Sequence, residues 1–277
     1  MYEVERVVDA GKTVCEDAVV AGDRCVVVAD GTSGFGDRSF TDGASDGQWY
    51  ARRVAAAFAD RLDDGADLRA ACAGAIRETG RALAAQVPGG ADRSVRSAVA
   101  AHDLPNAKVA AARWDGEGLS YLVLGDVSVA GVDPDLHASA PGVLDRVDER
   151  TARIRAELLA RGADEATARA HQLTHIRATR SYCNAPGGYW VARLNPLAAE
   201  FATVGDRAPD DGPLLCYTDG FDPLVAPFGV FADPPAMARY AAVEGLGALR
   251  DRLRAAEADD DAHRHAPDDA TAVLVRR

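Results

Sequence analysis

Lysine is nearly absent from this 277-residue chain: Lys12 and Lys108 stand alone, and every other Lys/Arg position is arginine. That bias reads as genome composition first. Basic residues number 31 against 43 acidic ones, leaving a net charge of −12. A chain so short of cations has no basic stripe to displace phosphate counterions, which argues against a nucleic-acid partner. It argues equally against docking on an anionic membrane. Long apolar runs are missing too, and none nears the roughly 18 residues that a membrane span needs. The opening Met-Tyr-Glu-Val-Glu-Arg lacks the basic and apolar regions of a secretion signal. The cysteines Cys15, Cys25, Cys72, Cys183 and Cys216 are scattered, with neither C-x-x-C nor zinc spacing. Cys25 and Cys216 fall inside apolar runs and read as buried thiols. The expectation is a reduced, cytoplasmic, globular chain.

What is present is an alternation of β-rich and helical stretches. Residues 17–21 and 24–30 flank Gly22-Asp23 as a hairpin. Two amphipathic helices are predicted next, from an Asp46 cap to about Leu62 and from Ala66 to about Val87. Strands are expected at Ala107–Trp114, Leu119–Leu124 and Ser128–Val132, the first two joined by the turn Asp115–Gly118. A charged helical stretch covers about Leu144 to Arg180. Strand character returns at Tyr189–Leu194, Phe201–Val204 and Leu214–Asp219, and the chain ends with a helix over Pro235–Ala258 and a strand over Ala270–Val275. Hairpin turns imply antiparallel sheets, and amphipathic helices must cover their outer faces. The predicted fold class is α+β, a four-layer α-β-β-α sandwich. No internal repeat or long linker divides the chain, so residues 1–277 are expected to form one domain.

The aspartates fall at the ends of these strands. Asp30 closes Val-Val-Val-Ala-Asp-Gly, Asp126 follows Tyr-Leu-Val-Leu-Gly, and Asp219 closes Leu-Leu-Cys-Tyr-Thr-Asp-Gly. Asp17 opens its strand and Asp268 lies just before the last one. In antiparallel sheets the end of one strand sits beside the start of its neighbour, so these residues can converge on one edge. Carboxylates packed together repel unless cations or protons intervene, and all-oxygen sites suit Mg²⁺ or Mn²⁺. Glycine after Asp30 and after Asp219 allows a sharp turn, and the Gly31 carbonyl is itself a possible metal donor.

Glu16-Asp17-Ala18, Val-Ala-Asp30-Gly31, Leu-Gly125-Asp126, Thr218-Asp219-Gly220 and Asp268-Asp269-Ala270-Thr271 resemble, in order and rough spacing, the motifs of the PPM family. These are the metal-dependent serine/threonine protein phosphatases of type 2C. The resemblance runs from about Lys12 to Val275. It implies phosphomonoester hydrolysis by a hydroxide bridging two Mg²⁺ or Mn²⁺ ions, with an optional third ion. Asp17, Asp30, Gly31, Asp219 and Asp268 would serve the two-metal pair and Asp126 the third ion. Glu16 would orient waters, and Lys12 stands where many members carry a phosphate-gripping arginine. A phosphorylated protein or a small phosphorylated molecule is the implied partner. Residues 144–195 fall where bacterial members place a flap, with Arg177 and Arg180 as substrate contacts.

Three positions depart from the family pattern. Thr32 stands where some members have histidine, Val127 follows Asp126 in place of serine, and Pro105-Asn106-Ala107-Lys108 replaces a Gly-Thr-Thr-like run. They keep two alternatives open: a small-metabolite phosphatase of the same fold, or a catalytically weak phosphatase-like binding module. His171 and His175, four apart on a helix, read as surface histidines. His263 and His265 read as part of a solvated loop, and Ser33–Gly47 reads as a flexible one.

Overall fold

Valine- and alanine-rich runs separated by short turns bury both faces only when they lie between other layers. The computed structural model describes residues 2–36, 38–87, 100–115, 118–139, 143–208, 211–260 and 267–277, and among these ten strands form two sheets. The strands are β1 (Glu3–Asp9), β2 (Ala18–Ala21), β3 (Cys25–Thr32), β4 (Asn106–Trp114) and β5 (Leu119–Leu124). They continue as β6 (Ser128–Gly131), β7 (His137–Ser139), β8 (Thr203–Arg207), β9 (Leu214–Tyr217) and β10 (Ala270–Arg276). One sheet has the order β1-β10-β9-β6-β7 and the other β2-β3-β4-β5-β8. Every pairing is antiparallel.

The twofold alternation of each strand assigns its residues to layers. Val26 and Val28 of β3 and Ala110 and Ala112 of β4 face Val129, Cys216 and Val273 across the gap between sheets. Cys25, Val27 and Ala29 point the other way, into a core with Tyr50, Val54 and Phe58 of α1 (Asp46–Asp63) and Ile76 of α2 (Leu68–Gln86). On the opposite side α5 (Pro234–Glu244) and α6 (Leu246–Asp259) set Met237, Leu249 and Leu253 against Leu215 and Leu274. The four layers expected from the sequence are present. Among the described residues no helix is long and apolar enough to cross a membrane.

Several boundaries differ from expectation, each for a local reason. β1 carries charge at Glu3, Glu5, Arg6 and Asp9 and lies at a sheet edge, paired only with β10, so its signal is weak. The stretch 144–180 is two helices, α3 (Val143–Ala160) and α4 (Glu165–Thr179), separated where Gly162 takes φ +87°. Gly245, at φ +85°, likewise separates α5 from α6. Ser45, not Asp46, caps α1, accepting from the Gln48 amide at 3.1 Å. Residues 189–194 form no strand. Isolated bridges join Ala107 to Ala192 and Cys183 to Tyr189, and the buried Asn184 side chain holds the Val191 backbone through bonds of 3.0 and 2.9 Å. Of the expected 115–118 turn, Gly116 and Glu117 lie outside the described residues.

Phe58 is fully buried in the core between α1 and the β3–β4 face. Phe58→Ala should therefore destabilise the protein by about 3–5 kcal/mol. In urea titration the midpoint should fall with the slope unchanged; an unchanged midpoint would contradict this packing.

Candidate metal centre

Antiparallel register carries the acidic residues to one end of the sandwich. Ala18 pairs with Ala29 in the β2–β3 hairpin, so Asp17 and Asp30 follow on side by side. Asp30 lies inside β3 rather than at its end, directly opposite Lys108 of β4. Both continue the inward parity of Val26, Val28, Ala110 and Ala112 and so point between the sheets. Asp126 occupies the β5–β6 turn, Asp219 opens a 3₁₀ turn just past β9, and Asp268 lies just before β10. Carboxylate oxygens of Asp30, Asp126 and Asp219 all lie within 4.8 Å of one another.

The remaining expected site residues ring this trio. Asp17 is buried, and its Oδ2 accepts from the Thr218 hydroxyl at 2.9 Å. Asp268 is in direct ion-pair contact with Lys12, and both are half-exposed. Asp269 was not singled out from the sequence, yet it pins the approach to Asp17. Its carboxylate accepts from the amides of Gly11 (3.1 Å), Lys12 (3.2 Å) and Glu16 (2.9 Å). Glu16 is engaged with the following loop: it accepts from the Ser33 amide at 3.3 Å, the Ser45 hydroxyl at 2.5 Å and the Ser33 hydroxyl. Gly31 permits that approach, since a Cβ there would stand 2.5 Å from the carbonyls of Glu16 and Gly47.

Lys108 also escaped selection from the sequence. Its Nζ lies 2.6 Å from Asp30 Oδ2, 3.5 Å from Asp126 Oδ1 and 3.3 Å from Thr32 Oγ1. The side chain is only 13% exposed. The signal that could have found it was the break in the Gly-Thr-Thr-like pattern.

The electrostatics follow from burial and crowding. Asp17 is pushed up to about 8 by burial, then by the charge of Asp30, while bonds from Thr271 and Thr218 oppose the rise. Burial, followed by Asp30, also raises Asp219 well above the usual carboxylate range, against the pull of Lys108. For Lys108 burial alone would lower the value, but Asp126, Asp30 and Asp219 outweigh it and hold the ammonium well above its usual range. Three convergent carboxylates in a partly dry site are the donor set of a hard divalent ion. The residues therefore fit such an ion, with one positive charge already supplied by the chain.

Other expected contacts resolve differently. Arg180 is buried: it donates to the carbonyls of Leu104 (3.3 Å) and Ser33 (3.2 Å) and lies over the Phe35 ring, so it is no substrate contact. Arg177 donates to the Phe35 carbonyl at 3.1 and 2.6 Å. Asp46 accepts from the Phe40 and Thr41 amides, so these described residues of the 33–47 stretch are anchored rather than loose. Trp190 stacks on Phe201 with centroids 3.7 Å apart, a packing role. His171 and His175 are exposed on α4. His263 and His265 lie outside the described residues. Beside Asp126 opens a cavity of about 290 Å³, lined by Ser128, His137, Ser139, Asp222 and Val225.

A carboxyl raised on folding keeps a proton that the unfolded chain has already lost. Its stabilising contribution is whole near pH 4 and drains away as pH climbs towards 8. In the metal-free protein the melting temperature should fall between pH 5 and 8 more steeply than in Asp17→Asn. Parallel profiles for the two proteins would show that Asp17 is not the group responsible.

No family model and no curated protein matches the chain. Solved structures do. The Mycobacterium tuberculosis serine/threonine phosphatase PstP/Ppp matches at 19% identity and a TM-score of 0.60, over 99% of this chain and 98% of that one. The catalytic domain of PstP in complex with two manganese ions matches at 20% identity and a TM-score of 0.57, over 99% and 97%. The PPM Ser-Thr phosphatase MsPP from Mycobacterium smegmatis, in complex with cacodylate, matches at 17% identity and a TM-score of 0.50, over 99% and 97%. Two five-stranded antiparallel sheets between helical layers, matched end to end by these enzymes, give the chain the fold of the PPM-type serine/threonine phosphatases.

Proposed function

We propose that this chain is a metal-dependent phosphomonoesterase acting on serine or threonine phosphoproteins. The observation that carries the reading is the convergence of Asp30, Asp126 and Asp219 within 4.8 Å at one end of a phosphatase fold. Asp30, Asp126 and Asp219 would hold Mn²⁺ or Mg²⁺, with Asp17, the Gly31 carbonyl and Asp268 as the further donors. Bound divalent ions supply Lewis acidity towards a phosphoryl oxygen and a water acidic enough to attack phosphorus.

The chain's own residues set the stage for that chemistry. Thr218 fixes the Asp17 carboxylate, and Asp269 holds the Gly11–Glu16 backbone so that Asp17 and Lys12 stay in place. Lys12, half-exposed beside Asp268, is the cation nearest solvent and would meet the substrate phosphate as a point charge. The cavity beside Asp126 offers room for the residue that carries the phosphate. All five cysteines are free thiols, which supports a reducing, cytoplasmic setting. We read residues 1–277 as one catalytic domain and 144–195 as its flap.

A second reading is favoured by Lys108. An ammonium inside the acidic trio already offsets part of its charge, as suits a weakly catalytic module that binds a phosphorylated partner. The two readings part on hydrolysis of p-nitrophenyl phosphate and of a phosphothreonine peptide, measured with EDTA, Mg²⁺ or Mn²⁺. Turnover should require the metal. It should fall at least about 100-fold in Asp219→Ala, since loss of an outer-shell partner alone costs 10–100-fold. Silence on both substrates with every metal, from folded protein, would overturn the enzymatic reading in favour of the binding module.

A further inference from the structure

Lys108 is built into the acidic centre by more than its charge. Residue parity places it between the sheets, and cross-strand register sets it opposite Asp30. Its ammonium donates to Asp30 Oδ2 at 2.6 Å and Thr32 Oγ1 at 3.3 Å, and forms an ion pair with Asp126 Oδ1 at 3.5 Å. Room for its stem is made by Gly125. That residue adopts φ +95°, and a Cβ there would stand 2.4 Å from Lys108 Cγ and 2.5 Å from its Cβ. One turn thus positions Asp126 and opens the slot through which the lysine reaches it.

We infer that Lys108 is a tethered cation occupying one of the positions around Asp30, Asp126 and Asp219 that a divalent ion would otherwise take, so the centre binds fewer ions, or binds them more weakly, than its carboxylates alone allow. This rests on the metal-centre reading above. The geometry leads to it directly. An ammonium in contact with both Asp30 and Asp126 and a divalent ion shared by the same two carboxylates exclude each other by volume and by charge. With all three carboxylates ionised, Lys108 leaves the cluster at −2 rather than −3, which one divalent ion balances.

The test is equilibrium binding of Mn²⁺ alone to the full chain, read as bound metal per chain, together with the melting temperature in EDTA. Lys108→Met removes the charge and keeps the stem; Lys108→Gln keeps a polar tip should the first variant fold poorly. The expected result is one additional Mn²⁺ per chain, or the same number held at least tenfold more tightly, with a lower melting temperature in EDTA that Mn²⁺ restores. Wild type that binds no Mn²⁺ beside a variant that binds one would be the same result in its extreme form. Stoichiometry and affinity unchanged within twofold, with binding abolished in Asp219→Ala, would overturn the role of Lys108 and leave the metal centre standing. Absence of Mn²⁺ binding in wild type and both variants at millimolar metal would overturn the two together.

Discussion

Five aspartates gathered at one end of a sandwich repel one another, and much of the surrounding structure serves to hold them in place. Two unit charges about 5 Å apart at an effective dielectric near 20 cost on the order of 3 kcal/mol. The trio alone makes three such pairs. Nothing in the local propensities of Asp30, Asp126 or Asp219 favours that placement; it is imposed by the sheets. The packing of Val26, Val28, Ala110, Val129, Cys216 and Val273 between the sheets fixes β3, β4, β6, β9 and β10 rigidly enough to hold their ends together. Burial, followed by the charge of Asp30, raises the carboxyls of Asp17 and Asp219, so the repulsion adds to what the dry interior already imposes.

The cations that answer it are not drawn at random from the composition. The chain has only two lysines, and both reach this cluster, Lys12 at Asp268 and Lys108 at Asp30 and Asp126. Arginine, which serves everywhere else, carries a broad planar fork that needs flanking space and several acceptors. An ammonium on a slim stem passes the Gly125 backbone and ends as a compact charge. Where shape did not matter the sequence kept arginine. At Lys108 the slot beside Gly125 suits the slim stem, whereas Lys12 is half-exposed and fills no slot.

The layered fold and the aspartate pattern were legible because both are local. Runs such as Cys-Val-Val-Val-Ala and Tyr-Leu-Val-Leu announce strands, and an Asp beside each run is read in the same window. Missing were the features that depend on pairing. Asp30 looked like a strand end, but β3 runs on to Thr32 because β4 offers Asn106 as a partner there. Lys108 looked like a departure from a pattern until cross-strand register set it opposite Asp30. Arg180 resembled a surface cation on a charged helix, and only the tertiary path of the chain carries it inward to the carbonyls of Leu104 and Ser33. Helix breaks at Gly162 and Gly245 were single residues inside otherwise continuous patterns, and a lone glycine is tolerated in many helices.

That inward path also links α4 to the residues around Asp17. Arg177 and Arg180, at the end of α4 and just past it, hold the carbonyls of Phe35 and Ser33. Ser33 is bonded to Glu16, and Glu16 shares its carboxylate with Ser45, the cap of α1. Glu16 adjoins Asp17. A continuous set of hydrogen bonds therefore runs from the end of α4, through the loop after Asp30-Gly31, to the start of α1 and the segment that presents Asp17. The Arg180, Ser33, Glu16 and Ser45 links are partly withdrawn from water, where a lost partner costs more than a lost surface contact, whereas the Arg177–Phe35 link is exposed. Movement of α4 away from the body would take the Arg180 donor from the Ser33 carbonyl, so the placement of α4 is tied to the loop that follows Asp30-Gly31.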